Sequence, residues 1–101
     1  MSKVLLEIQG LHKQYGPVEV LKGVDCIMQQ GEVISIIGSS GSGKTTMLRC
    51  INMLEDFQGG HIRLDGEEIG YDESGGVRRR KSEKEIARQR ALTGMAFQQF
   101  N

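Results

Sequence analysis

The stretch Val33-Ile-Ser-Ile-Ile-Gly38-Ser-Ser-Gly41-Ser-Gly43-Lys44-Thr45-Thr46 decides how the rest of the chain is read. Val33, Ile34, Ile36 and Ile37 form a short apolar run. β-Branched residues at that length suit a strand buried on both faces, as in a parallel sheet. Gly38 through Thr45 then fits G-x-x-x-x-G-K-[ST], the phosphate-cradling P-loop pattern. Gly38, Gly41 and Gly43 permit backbone angles closed to other residues and let phosphate oxygens approach the main chain. Successive N–H groups turned inward make an anion-binding nest. The loop feeds a helix whose first N–H groups lack partners and whose dipole favours negative charge. Lys44 is a compact cation for the outer phosphates. The Thr45 hydroxyl suits Mg²⁺, which bridges phosphates and keeps several waters. Thr46 is placed for an inner phosphate. Met47, Leu48, Ile51 and Leu54 follow at i, i+1, i+4 and i+7, a helical stripe expected to pack on the sheet. A chance Gly/Ser linker would not sit between a strand signal and a helix signal.

The chain has 101 residues, enough for one domain. Hydrophobic residues make up 38%, a low share for a packed domain, and glycines number 14. The 13 basic and 13 acidic residues cancel, so no overall field draws the chain to nucleic acid or membrane. Cys26 and Cys50 lack metal spacing and read as buried, reduced thiols. The apolar run after Met1 is too short for a signal peptide, and no run reaches the ~18 apolar residues of a membrane span. A cytoplasmic location is expected.

Taken in order, Val4, Leu6 and Ile8 alternate with Leu5, Glu7 and Gln9, a strand expected to end near Gly10. Leu11 to Pro17 reads as a turn region, Val18 to Leu21 as a short edge segment and Lys22-Gly23 as another turn. Val24 to Met28 reads as a further strand, and these closely spaced strands should be antiparallel. Tyr15 is either a surface tyrosine or a platform for a nucleobase, since stacking contributes ~1–3 kcal/mol with any base. The P-loop helix is expected to end near Glu55-Asp56. His61 to Leu64 and Glu67 to Ile69 alternate around Asp65-Gly66, a type I′ hairpin signal. His12 and His61 read as surface histidines. Gly70 to Val77 reads as a polar loop. Arg78 to Lys81 is a basic cluster, read as a solvated face in preference to a binding patch. Ser82-Glu-Lys-Glu85 is a capping box opening a helix to about Leu92, with Gly94 as its stop. Met95-Ala-Phe97 reads as a short strand.

Five segments together resemble one known family. They are Leu11-His-Lys-Gln-Tyr15-Gly16, Gly31-Glu32, Gly38 to Thr45, Gly60-x-Ile62-x-x-Asp65-Gly66 and Met95-Ala-Phe-Gln98. The chain resembles the N-terminal part of an ATP-binding cassette (ABC) transporter ATPase along its whole length. The fold implied is α/β: a P-loop NTPase of the ABC nucleotide-binding type, with an antiparallel β subdomain and the start of a parallel core sheet. By that resemblance Tyr15 corresponds to the aromatic residue that stacks on adenine. Gly38, Ser39, Ser40, Gly41, Ser42, Gly43, Lys44, Thr45 and Thr46 correspond to the phosphate and Mg²⁺ site. Gln98 corresponds to the Q-loop glutamine, which approaches Mg²⁺ and the attacking water. Arg49 to Glu55 and Phe97 to Asn101 look like the polar amino-acid uptake ATPases. The implied ligands are ATP and Mg²⁺. The implied partners are transmembrane permease subunits and a second ATPase subunit, with no nucleic acid. The implied place is the cytoplasmic face of the inner membrane.

The sequence departs from that family by stopping at Asn101. The Leu-Ser-Gly-Gly-Gln signature, the Walker B strand and the switch histidine do not occur in it. Residues 1–101 are therefore expected to be one partial nucleotide-binding domain, a fragment or truncated product that is not catalytically competent alone, because phosphoryl transfer needs those charge-neutralising and water-positioning groups. The competing expectations are an inactive nucleotide-binding module, an ABC ATPase without a transporter, and another P-loop class such as a small kinase. The contexts of Tyr15 and Gln98 count against the kinase.

Overall fold

The computed structural model describes residues 4–29 and 43–97. The fold is organised on one long strand. β1 (Val4–Tyr15) pairs antiparallel with β2 (Val18–Gln29) on one side and with β3 (Gly59–Leu64) on the other. β4 (Glu67–Glu68) completes a four-stranded sheet in the order β2-β1-β3-β4. β5 (Tyr71–Ser74) and β6 (Val77–Arg80) form a separate hairpin. Helix α1 (Gly43–Ile51) precedes β3, and helix α2 (Glu83–Phe97) follows β6.

β1 does not stop at Gly10. Leu6 and Ile8 are buried, and so are Leu11 and Lys13, although strict alternation would send the second pair outward. One surplus residue absorbs the change. Gln9 pairs with His61 and His12 with Gly59, so three steps along β1 oppose two along β3. Gly10 sits in this bulge at φ 56°, with its N–H donating to Asp25 Oδ1 at 2.8 Å. The expected turn at Lys22-Gly23 is likewise an irregularity inside one continuous β2, with Gly23 at φ 86°. A glycine that reads as a strand stop is here a place where the strand changes face. The true turn between β1 and β2 is only Gly16-Pro17.

The Asp65-Gly66 hairpin forms as its sequence predicts, with φ 50° and 83° at the two turn residues. Gly70 to Val77 is not a loop. Gly75-Gly76, at φ 58° and 79°, turns β5 into β6, and opposite charges face each other as Asp72 with Arg79 and Glu73 with Arg78.

Helix α1 ends at Ile51, earlier than the stripe suggests. Met53 takes φ 54°, and its N–H donates to the Cys50 carbonyl at 3.1 Å. The Leu54 N–H donates to the Arg49 carbonyl at 2.8 Å, which completes a Schellman stop without glycine. Met53 is 3% exposed, so burial of its side chain offsets the backbone cost. Leu54, expected in the core, is left exposed, whereas Met47, Cys50 and Ile51 are buried as the stripe implies.

Helix α2 opens on Ser82, whose hydroxyl accepts from the Glu85 N–H at 3.2 Å. It runs through Gly94 to Phe97, so the expected strand at Met95–Phe97 is helical. Glycine weakens a helix but does not end one while its backbone angles stay helical. Gln89 fastens α2 to the sheet and is 1% exposed. Its Oε1 accepts from the Gly70 N–H at 2.9 Å, and its Nε2 donates to the Glu68 carbonyl at 2.8 Å and to Glu67 Oε2 at 2.7 Å. The Gln89 side-chain amide, and after it the Arg88 guanidinium, hold the Glu67 carboxyl below its ordinary range.

One cluster of buried side chains unites these parts. Leu6, Ile8, Leu11, Leu21, Met28, Ile62 and Leu64 come from the sheet, and Met47, Cys50 and Ile51 from α1. Phe57, Ile69, Tyr71 and Ile86 close it. Phe57 and Tyr71 meet edge to face with ring centroids 4.9 Å apart. The basic cluster is largely occupied within the fold. The Arg78 guanidinium lies 3.6 Å from the Tyr71 ring centroid and donates to the Phe57 carbonyl. Arg80 pairs with Asp56 and Glu83, and Lys81 with Asp72.

Candidate functional site

The motif residues fall into two described places. Gly43, Lys44, Thr45 and Thr46 form the opening turn of α1, as the pattern requires. No acidic residue lies within that turn itself, where a carboxylate would share the positive end of the helix. Thr46 is half-buried. Buried Met47, Cys50 and Ile51 hold α1 in the core. The apolar strand at Val33–Ile37, the loop residues Gly38, Ser39, Ser40, Gly41 and Ser42, and Gln98 lie outside the described residues.

Tyr15 ends β1 beside the Gly16-Pro17 turn and is 40% exposed. Its neighbour on one side is a group that the sequence pattern did not single out. Lys13 is 5% exposed, and its Nζ lies 4.7 Å from the Tyr15 ring centroid and 3.4 Å from Glu55 Oε1. Lys13 escaped notice because Leu11 to Pro17 read as a turn region, whereas β1 continues through the bulge at Gly10, which turns Lys13 in. Two hydrogen bonds of Gln58, one through its backbone and one through its side chain, tie the same end of the hairpin to the chain after α1. The Gln58 N–H donates to the His12 carbonyl at 2.9 Å, and the Gln14 N–H donates to Gln58 Oε1 at 2.8 Å.

Cys50, within α1, is fully buried and free. Burial pushes its thiol up to about 11, against a smaller opposing pull from Lys13. Cys26 is half-buried and its thiol is also raised by burial. His12 Nδ1 lies 2.9 Å from Glu19, and His61 Nδ1 lies 2.8 Å from Glu68. Among the described residues no group of three His, Cys, Asp or Glu side chains is arranged to hold a metal, and no helix is long and apolar enough to cross a membrane.

Comparison with known proteins meets this geometry. The family model described as ABC transporter matches residues 21–101. The chain belongs to the ABC transporter family. The arginine transport ATP-binding protein ArgV of Corynebacterium glutamicum is 50% identical over 101 residues, covering 100% of this chain and 40% of the relative. The arginine/ornithine transport ATP-binding protein AotP of Pseudomonas aeruginosa is 51% identical over 100 residues, covering 95% of this chain and 38% of the relative. The histidine transport ATP-binding protein HisP of the same species is 46% identical over 97 residues, with 95% and 38% covered. This ABC chain thus spans about 40% of the length of the curated relatives it matches. Its P-loop NTPase assignment and its antiparallel β region agree with the fold read from the sequence.

Proposed function

We propose that residues 1–101 form the nucleotide-gripping part of an ABC ATPase that drives uptake of a polar amino acid, as one partial nucleotide-binding domain. The observation that carries the reading is the opening of α1 at Gly43, directly after the glycine-rich loop, with no acidic residue in its first turn. Free N–H groups at that end, with Lys44, suit a polyphosphate. In this reading the main-chain amides of Gly38 to Gly43 and the side chains of Ser39, Ser40, Ser42 and Thr46 surround the phosphates. Lys44 neutralises charge on the outer ones. Thr45 and Gln98 would hold Mg²⁺, which supplies charge neutralisation across neighbouring phosphates. Gln98 also orients the attacking water. Tyr15 offers its exposed ring to adenine.

The relatives' names, ATP-binding proteins of arginine, arginine/ornithine and histidine transport, support a role in amino-acid transport; import, the partners and the location follow from the family resemblance. Transmembrane permease subunits and a second ATPase subunit are the partners, and the assembly sits on the cytoplasmic face of the inner membrane. Two measurements test this. The 101-residue chain should bind Mg-ATP, and Lys44→Ala should weaken that binding strongly. Cells in which the coding sequence is interrupted should lose uptake of labelled arginine or histidine. Binding that ignores Lys44 would refute the site, and intact uptake of every polar amino acid would refute the transport role.

A further inference from the structure

Among the described residues Lys13 is the one charged side chain in the buried set. A lysine normally keeps its ammonium in water, so a buried one needs a partner. Here it has two, and they belong to different parts of the fold. Glu55 Oε1 lies 3.4 Å from Nζ, just past the Schellman stop of α1. The Tyr15 ring centroid lies 4.7 Å away, at the hairpin tip. With the two Gln58 contacts, this ties the ring to the segment at the far end of α1 from residues 43–46.

We propose that Lys13 is a positioning residue for nucleotide binding. Its ammonium holds the Tyr15 ring in one orientation relative to α1, and so sets how well the base is held while leaving the grip on the phosphates alone. The proposal rests on the reading above, in which Tyr15 meets the base and the opening of α1 meets the phosphates. A ring released from Lys13 would spend part of its time turned away, and apparent affinity falls by the fraction lost.

The experiment titrates the 101-residue chain with Mg-ATP and, separately, with Mg-tripolyphosphate, which has no base. Lys13→Met keeps an unbranched apolar stem, one atom shorter, and removes the charge. It should weaken ATP by at least about twofold, the low end of what a cation–π contact supplies, and leave tripolyphosphate unchanged. Lys13→Arg, which keeps a cation for both the ring and Glu55, should restore ATP affinity. Unchanged ATP binding in Lys13→Met overturns the proposal. So does an equal loss for both ligands, which is what general loosening of the fold would give. Should Lys13→Met fail to fold, Glu55→Gln cuts the tie from its half-exposed side, and an unchanged ratio of the two affinities there overturns the proposal equally. Tyr15→Ala separates the two readings. If it leaves that ratio unchanged, the base platform itself falls. If it shifts the ratio while Lys13→Met does not, only the role of Lys13 falls.

Discussion

Opposite the β1 bulge, Gly60 leaves no room for a side chain, and Gly60→Ala tests that fit. An added Cβ would stand 2.3 Å from the Gly10 carbonyl oxygen and 2.5 Å from that of Gln9. Neither atom belongs to a side chain that can swing aside. Gly60 also sits at φ 88°, which disfavours any L side chain by about 1–2 kcal/mol. Forcing β1 and β3 apart adds about 1–3 kcal/mol, the usual range for overpacking. The expected loss is therefore roughly 2–5 kcal/mol, a large share of the ~5–15 kcal/mol that stabilises a domain. Gly66→Ala is the control. It has φ 83° but open space around the new methyl group, so it bears the conformational cost alone. Both substitutions restrict the unfolded chain alike, so that contribution cancels in the comparison. Urea unfolding followed by circular dichroism should place the Gly60→Ala midpoint clearly below that of Gly66→Ala. Coincident midpoints would mean that β1 and β3 do not meet in this register, and the placement of Lys13 would fall with it.

Three further outcomes are expected. Lys44→Ala should cost ~1.5–3 kcal/mol of Mg-ATP affinity, the worth of a charge-assisted contact, as read by titration calorimetry. Gln89→Leu leaves the Gly70 N–H and the Glu68 carbonyl without their partner and should destabilise the chain by about 2–4 kcal/mol in urea; a loss under half a kcal/mol would contradict the clasp. Cys50 should make stability fall as pH rises from its ordinary 9.0 toward about 11. In that window the folded thiol keeps its proton and the unfolded one releases it, so the folded state binds more protons and the slope is downward. Cys50→Ala should flatten this stretch of the stability profile, and a thiol reagent should label Cys26 in the folded chain while sparing Cys50.

What could be read from the sequence was local. Asp65-Gly66 and Ser82 to Glu85 each carry their structural instruction within four residues: the hairpin turns where it was read, and Ser82 caps the helix it was read to open. The opening of α1 at Gly43 was legible for the same reason. What escaped depends on distant packing. Met53 ends α1 because its side chain finds the core, which no neighbour of Met53 announces. Gly10 and Gly23 look like stops, but the sheet on either side carries the strand through them. The β5–β6 hairpin did leave a signal, the acidic residues before Gly75-Gly76 mirrored by arginines after it, but without apolar alternation it passed for a loop. Lys13 was hidden twice, by its charge and by the reading of Leu11 to Pro17 as a turn, through which the strand in fact runs.

The surplus residue at Gly10 is what keeps Leu11 and Lys13 on the inner face. Were the bulge ironed out at unchanged length, plain alternation would carry Leu11 into solvent and expel the ammonium from its berth. Removing the surplus residue itself would instead restore plain alternation from Ile8, with both side chains still inward. Descendants of this gene can therefore shed the bulge only together with the residue that makes it.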